Sequence, residues 1–161
     1  MRVGIGYDSH RFTPGRSLVL GGVRIPHELG LAGHSDADVA AHAVTDAILG
    51  AAALGDIGTH FQPDDERWRD ADSIELLRAA VRILEERNYQ VVNVDVTLVL
   101  EQPKLRPHVD AMRTRLADAL QISPENVSVK GKTNELMGWV GRGEGLACMA
   151  VASLVRADAS R

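Results

Sequence analysis

The sequence predicts a layered fold of the α/β or α+β class, with strands and amphipathic helices in one domain. Three patterns carry that reading. Val92, Val94, Val96, Leu98 and Leu100 alternate with Asn93, Asp95 and Thr97, as in a strand with one dry face. Ile74, Leu77, Val81 and Leu84 recur at helical spacing behind a start made by Asp72 and Glu75. Leu146 to Val155 is apolar almost throughout, as in a strand covered on both faces.

The other elements follow in order. Residues 2–8 read as a strand, and 18–25 as a hairpin turning at Gly21-Gly22. Ser35 and Asp38 form a capping-box-like start to a helix that runs to about Ala53. Pro107 suits the first turn of a later helix presenting Val109, Met112, Leu116 and Leu120. Val127 and Val129 mark a short strand. No linker or repeat divides residues 1–161, so one domain is expected. Helices can cover one face of the last strand, and a second copy of the chain is the natural cover for the other. A homo-oligomer is therefore expected, although helices on both faces would serve as well.

Composition narrows the function. The 161 residues are 45% apolar and 25% charged, which fits a soluble folded chain with a real core. A net charge of −4 with no basic run argues against nucleic acid or an anionic membrane as the main partner, but leaves room for a small anionic ligand. Cys148 is the only cysteine, so neither an intrachain disulfide nor a thiolate zinc site is available. The N-terminus enters a strand with no basic-then-apolar leader, and the longest apolar stretch, Ala47 to Leu54, is too short for a bilayer. A cytoplasmic protein is expected.

Asp8 and His10 follow the strand-like run Val3 to Tyr7. Residues i and i+2 of a strand point to one side, so a carboxylate and an imidazole can converge there. His42, inside the first helix, can bring a third ligand. Two histidines and one carboxylate leave a metal an open position, as in catalytic rather than structural sites. Within the helix Asp38, His42 and Asp46 share a face, and Asp38 or Asp46 could orient the His42 ring; a solvated polar stripe would look the same. His34 and Ser35 sit where a helix N-terminus would hold a phosphate. Gly55 to Asp65 is a turn-rich loop whose glycines allow close approach to a ligand. Lys132, Thr133 and Asn134 can donate to phosphate oxygens, and Glu135 is a hard oxygen ligand for Mg²⁺ or Mn²⁺.

Taken together, these segments resemble the 2-C-methyl-D-erythritol 2,4-cyclodiphosphate synthase family from Met1 to about Val155. The matching segments are Gly6-Tyr7-Asp8-Ser9-His10, Gly21 to Pro26, His34-Ser35-Asp36, Gly50 to Gly58, Ala71-Asp72-Ser73, Asn93 to Thr97 and Gly141 to Gly145. The resemblance implies a four-stranded mixed sheet with helices on one face, the sheets lining the centre of a homotrimer with active sites between subunits. It implies a phosphorus–oxygen lyase that cyclises 4-diphosphocytidyl-2-C-methyl-D-erythritol 2-phosphate and releases CMP. Asp8, His10 and His42 would hold Zn²⁺, and Glu135 would help hold Mg²⁺ or Mn²⁺. His34 and Thr133 would stabilise the transition state. Substrate contacts are implied for Asp8, His10, His34 and Ser35, for Asp56, Ile57 and Gly58, and for the loop Phe61, Gln62, Pro63, Asp64 and Asp65. Leu100, Pro103, Lys104, Leu105 and Arg106 would form the cytidine pocket, with further contacts from Lys132, Thr133, Asn134, Glu135, Trp139 and Arg142. Lys132 and Asn134 stand where the family often has threonine, and both still donate to phosphate. Two other functions share the ligand set: an iron oxygenase with a two-histidine, one-carboxylate triad, and a non-catalytic trimeric module with structural zinc.

Overall fold

One long strand organises the molecule. β1 (Arg2–Thr13) alternates Val3, Ile5 and Tyr7 with Gly4, Gly6, Asp8 and His10, so its two faces differ in chemistry. The computed structural model describes residues 1–33, 35–62 and 71–157. After β1 come β2 (Leu18–Leu20), β3 (Val23–Ile25), β4 (Gly30–Leu31), α1 (Val39–Ala51), α2 (Ile57–His60) and α3 (Ser73–Glu86). They are followed by β5 (Tyr89–Val99), α4 (Val109–Leu120), β6 (Val127–Lys132), α5 (Gly138–Gly141) and β7 (Gly145–Arg156).

The main sheet runs β4-β1-β7-β5-β6, and β2 and β3 form the separate hairpin. β7 is antiparallel to both β1 and β5, while β5 and β6 are parallel, so the sheet is mixed and the fold is α+β. Four long strands match the expectation. The fifth member, β4, adds two residues at the edge, pairing Leu31 with Phe12 and Gly30 with Thr13. So short a piece has no periodicity to read.

α1 lies directly on β1 because glycine removes the side chains between them. A Cβ on Gly4 would sit 2.2 Å from the Ala47 carbonyl oxygen, and one on Gly6 would sit 1.9 Å from that of Ala43. The same sheet face buries Leu146, Cys148, Ala150, Ala152 and Leu154 of β7 and Val94, Val96 and Leu98 of β5. Ile74, Leu77, Val81 and Leu84 of α3 and Met112, Leu116 and Leu120 of α4 point into this core, as their spacing predicts.

The opposite face is apolar and open. Val3, Ile5 and Tyr7 are 65%, 70% and 55% exposed, and β7 sets Val151 against Ile5 and Met149 against Tyr7. Within the single chain only the helical side of β7 is covered, so the alternative of helices on both faces does not hold. Two helix boundaries also differ from expectation. α1 begins at Val39 with Asp38 as its cap, rather than at Ser35, and Pro107 lies in a short 3₁₀ turn (Arg106–His108) just before α4. No described helix is long and apolar enough to cross a membrane.

Candidate active site

Close packing of α1 on β1 sets His42 over the end of the glycine stripe. His42 Nδ1 lies 2.9 Å from Asp8 Oδ2, and His10 Nε2 lies 3.1 Å from the same oxygen. All three candidate ligand atoms fall within 4.8 Å of one another. Tetrahedral zinc, with bonds of about 2.0–2.1 Å, sets its ligands roughly 3.3 Å apart. His10 Nε2 is buried and makes no hydrogen bond, despite its nearness to Asp8. A buried ring nitrogen without a partner is costly, and a metal at the shared point would satisfy it. The donor set, two imidazoles and one carboxylate, therefore fits a divalent metal with a vacant coordination position.

The electrostatics agree. Burial works to raise the Asp8 carboxyl, but the adjoining His10 and His42 rings outweigh it and hold Asp8 well below the usual carboxylate range. Burial works to lower His42, but the Asp8 carboxylate beside it prevails and raises it. Without a metal the pair favours a protonated ring on a carboxylate, and metal binding must displace that proton.

A second group of expected residues gathers elsewhere. Leu100, Pro103, Lys104, Leu105, Arg106, Lys132 and Thr133 line one cavity of about 480 Å³. Beyond it Thr133 Oγ1 donates to Glu135 Oε1 at 2.7 Å. Glu101 holds this turn by accepting from the backbone N–H groups of Asn134 (2.9 Å) and Leu136 (3.2 Å). Glu135 and Leu136 sit at φ 52° and 63°, a left-handed backbone that needs such anchoring. None of the candidate metal-ligand triad lines this cavity. Register explains the separation: Asp8 pairs with Cys148, Cys148 with Leu98, and Leu98 with Gly131. Three strand spacings, roughly 14 Å, separate Asp8 from Gly131.

The family model described as "YgbB family" matches residues 1–155. The chain belongs to the YgbB family. A Symbiobacterium thermophilum protein named 2-C-methyl-D-erythritol 2,4-cyclodiphosphate synthase is 59% identical over 152 residues, covering 94% of this chain and 97% of its own. A Synechococcus protein (strain JA-2-3B'a(2-13)) of the same name is 56% identical over 155 residues, covering 96% and 99%. A solved structure of a synthase of this name, in a CDP-bound form, superposes with a TM-score of 0.88 at 38% identity, covering 96% of this chain and all of that one.

In this YgbB-family chain, several side chains take roles other than those expected. Asp38 does not meet the His42 ring. Its carboxylate accepts from Gly21 N (2.8 Å), Gly22 N (2.6 Å), Ala40 N (3.0 Å) and Ala41 N (3.1 Å), pinning the β2–β3 turn to the start of α1. Burial nevertheless drives this carboxyl up to about 6. The Asp46 carboxylate is engaged elsewhere, accepting from Ile57 N at 2.7 Å and so tying α2 to α1. Because Asp38 already engages the Ala40 and Ala41 N–H groups, they are not free to hold a phosphate as expected for the helix start.

Ser35 instead lies 3.2 Å from His42 Nε2, and Ser73 lies 2.9 Å from the same atom. Ser73 and its partner Asp36 were not singled out from the sequence beyond their place in matching segments. Asp56 caps α2 through Thr59, with Ile57 and Gly58 following in that helix. Phe61 is buried and Gln62 exposed. Trp139 in α5 is partly exposed, and Arg142 pairs with Glu144 at 2.6 Å. His34, Pro63, Asp64 and Asp65 lie outside the described residues.

Proposed function

We propose that this chain acts as a 2-C-methyl-D-erythritol 2,4-cyclodiphosphate synthase of the non-mevalonate isoprenoid pathway. The 2-phosphate of 4-diphosphocytidyl-2-C-methyl-D-erythritol attacks the β-phosphorus. One P–O bond forms to close the cyclic diphosphate, and the P–O bond to CMP breaks, which makes the enzyme a phosphorus–oxygen lyase. The observation that carries this reading is the convergence of Asp8, His10 and His42 on one point in a chain so similar to synthases of that name.

Bringing a phosphate onto a diphosphate sets like charges together, so the barrier is largely electrostatic. Asp8, His10 and His42 would hold Zn²⁺, and Glu135 a share of Mg²⁺ or Mn²⁺; such ions supply Lewis acidity and charge neutralisation at the phosphates. Thr133 and Lys132 offer an O–H and an ammonium to phosphate oxygens, and the family resemblance gives His34 and Ser35 a share in the substrate contacts. The cavity of Leu100, Pro103, Lys104, Leu105 and Arg106 suits a cytosine base, and a relative's CDP-bound form supports a cytidine ligand. Asp56, Ile57 and Gly58, the Phe61, Gln62, Pro63, Asp64 and Asp65 loop, Asn134, Trp139 and Arg142 complete the substrate contacts.

The roughly 14 Å between triad and cavity rows, estimated from strand spacing, leads us to place each complete site between two subunits. The open apolar face of β1 and β7 is the natural contact of a homotrimer whose sheets line its centre. A cytoplasmic setting suits a multiply charged substrate that does not cross membranes unaided.

The test is to give purified, zinc- and magnesium-loaded protein this substrate and follow phosphorus NMR. Cyclic diphosphate and CMP should appear together, and His42→Ala should lose bound zinc and turnover together. Oxygen uptake by an iron-loaded protein without CMP release would favour the oxygenase reading. Four protein ligands on zinc without turnover would favour the structural module.

A further inference from the structure

His42 has two ring nitrogens, and Nδ1 is the one that faces Asp8. The other, Nε2, faces a buried polar chain. Ser73 Oγ lies 2.9 Å from it and is fully buried. The Ser73 hydroxyl donates to Asp36 Oδ1 in a short hydrogen bond, and Ser73 N donates to Asp36 Oδ2 at 3.2 Å. Asp36 is itself fixed, since its backbone N–H donates to Ala71 O at 3.2 Å and its carboxylate accepts from Asp38 N at 3.2 Å.

The direction of this chain follows from donor and acceptor counts. A carboxylate only accepts, so the single Ser73 proton is committed to Asp36. Ser73 Oγ then has lone pairs alone to offer the ring. The nearer of the two hydroxyl contacts of Nε2 is therefore made by a hydrogen on the ring. Ser35 Oγ, 3.3 Å from Ser73 Oγ and 3.2 Å from Nε2, accepts from Ala37 N at 3.1 Å. The Ser35 hydroxyl hydrogen is therefore free to point at Ser73 without altering that assignment.

We propose that Ser73, oriented by Asp36, is the positioning residue that holds His42 with hydrogen on Nε2, so that the Nδ1 lone pair faces the point shared by Asp8 and His10. The inference rests on the metal-binding part of the proposed function. It extends that site by two residues, Asp36 from the loop leading into α1 and Ser73, the first residue of α3. A hydrogen-bond partner on the far nitrogen of a ligating histidine fixes its tautomer and strengthens it as a ligand.

Two variants test this. Ser73→Ala deletes the acceptor. Asp36→Asn keeps the shape but can turn an amide N–H toward Ser73, freeing the hydroxyl proton to point at His42 and favouring the wrong tautomer. Zinc affinity is measured by competition with a chromophoric chelator, and the His42 ring by nitrogen-15 correlation spectra of the zinc-loaded protein. Both variants should lose about 10- to 100-fold in zinc affinity. Both should shift or broaden the Nε2–H signal, while circular dichroism stays that of wild type. Wild-type affinity with an unchanged Nε2–H signal in both variants overturns the proposal. Wild-type protein that binds zinc no better than His42→Ala overturns the metal reading beneath it, a result distinct from the first.

Discussion

Gly6 and Ala43 are packed so closely that a β-carbon on the glycine would fall 1.9 Å from the alanine carbonyl oxygen. That contact fixes the height of α1 above β1, and with it the height of His42 above Asp8. Gly6→Ala must push backbone from backbone, since no flexible side chain is present to give way. Overpacking of a tight core costs about 1–3 kcal/mol, and the backbone clash places Gly6→Ala at or above the upper end. Urea unfolding should show that loss, and zinc affinity should fall even under conditions where the variant remains folded. Unchanged zinc affinity would mean that His42 does not depend on this packing.

The metal-free protein should show a pH signature of the Asp8–His42 pair. Asp8 is lowered in the fold, so its contribution is present above its unfolded value and is lost as pH falls through the folded one. His42 is raised, so its contribution is present below about pH 6.5, its unfolded value, and is lost as pH rises through the folded one. The pair therefore stabilises most between about pH 4 and 6.5. Buried Asp38 has the sign of His42 and the opposite sign to Asp8, since its raised carboxyl makes folding less favourable as pH climbs toward about 6. The readout is the difference in melting temperature between wild type and His42→Ala at each pH, which cancels Asp38. A difference that stays flat from pH 5 to 9 would remove the pair from the stability of the metal-free protein. Metal affinity should run the other way, rising with pH as the ring proton becomes easier to displace.

Glu135→Gln should weaken the response of activity to Mg²⁺ or Mn²⁺ more than it weakens zinc binding. A carboxamide keeps the shape and loses the charge that hard cations prefer. It also keeps an oxygen for the Thr133 hydroxyl, so the turn anchored by Glu101 should survive. A magnesium titration at fixed zinc decides the matter, and an unchanged curve would take Glu135 out of the second metal site.

A site divided between copies of the chain predicts rescue. His42→Ala spoils the triad, and a Pro103→Asp, Lys104→Glu double change spoils the cavity. Mixed assemblies should contain some sites with both halves intact, and CMP release should rise well above that of either variant alone. Background activity in mixtures whose subunit exchange is verified by mass would contradict the shared site.

Much of this arrangement was legible in the sequence because periodicity reports burial. The alternation of β5, the stripe of α3 and the Asp8–His10 spacing each translate into one face of one element. The partners of His42 were not legible in the same way. Asp38 and Asp46 share a helical face with it, yet backbone N–H groups of Gly21, Gly22 and Ile57 claim both carboxylates. Ser73 reaches the ring from more than thirty positions away through packing of α3 against α1, a contact that no local pattern encodes. β4 was missed for a simpler reason, since two residues cannot display a period.

The alternation of β1 ties together two properties that could otherwise vary separately. Even-numbered residues from Gly4 to His10 supply the helix seat and two candidate metal ligands, and odd-numbered residues from Val3 to Tyr7 supply the outward apolar face. Inserting or deleting one residue in this stretch would swap the two sets, turning ligands outward and bulky side chains into the helix. Point substitutions can tune either face alone, but a change in length damages both at once. Lineages carrying this strand should therefore tolerate changes of residue along it far better than changes of length, which deep insertion–deletion scanning of residues 3–10 would measure directly.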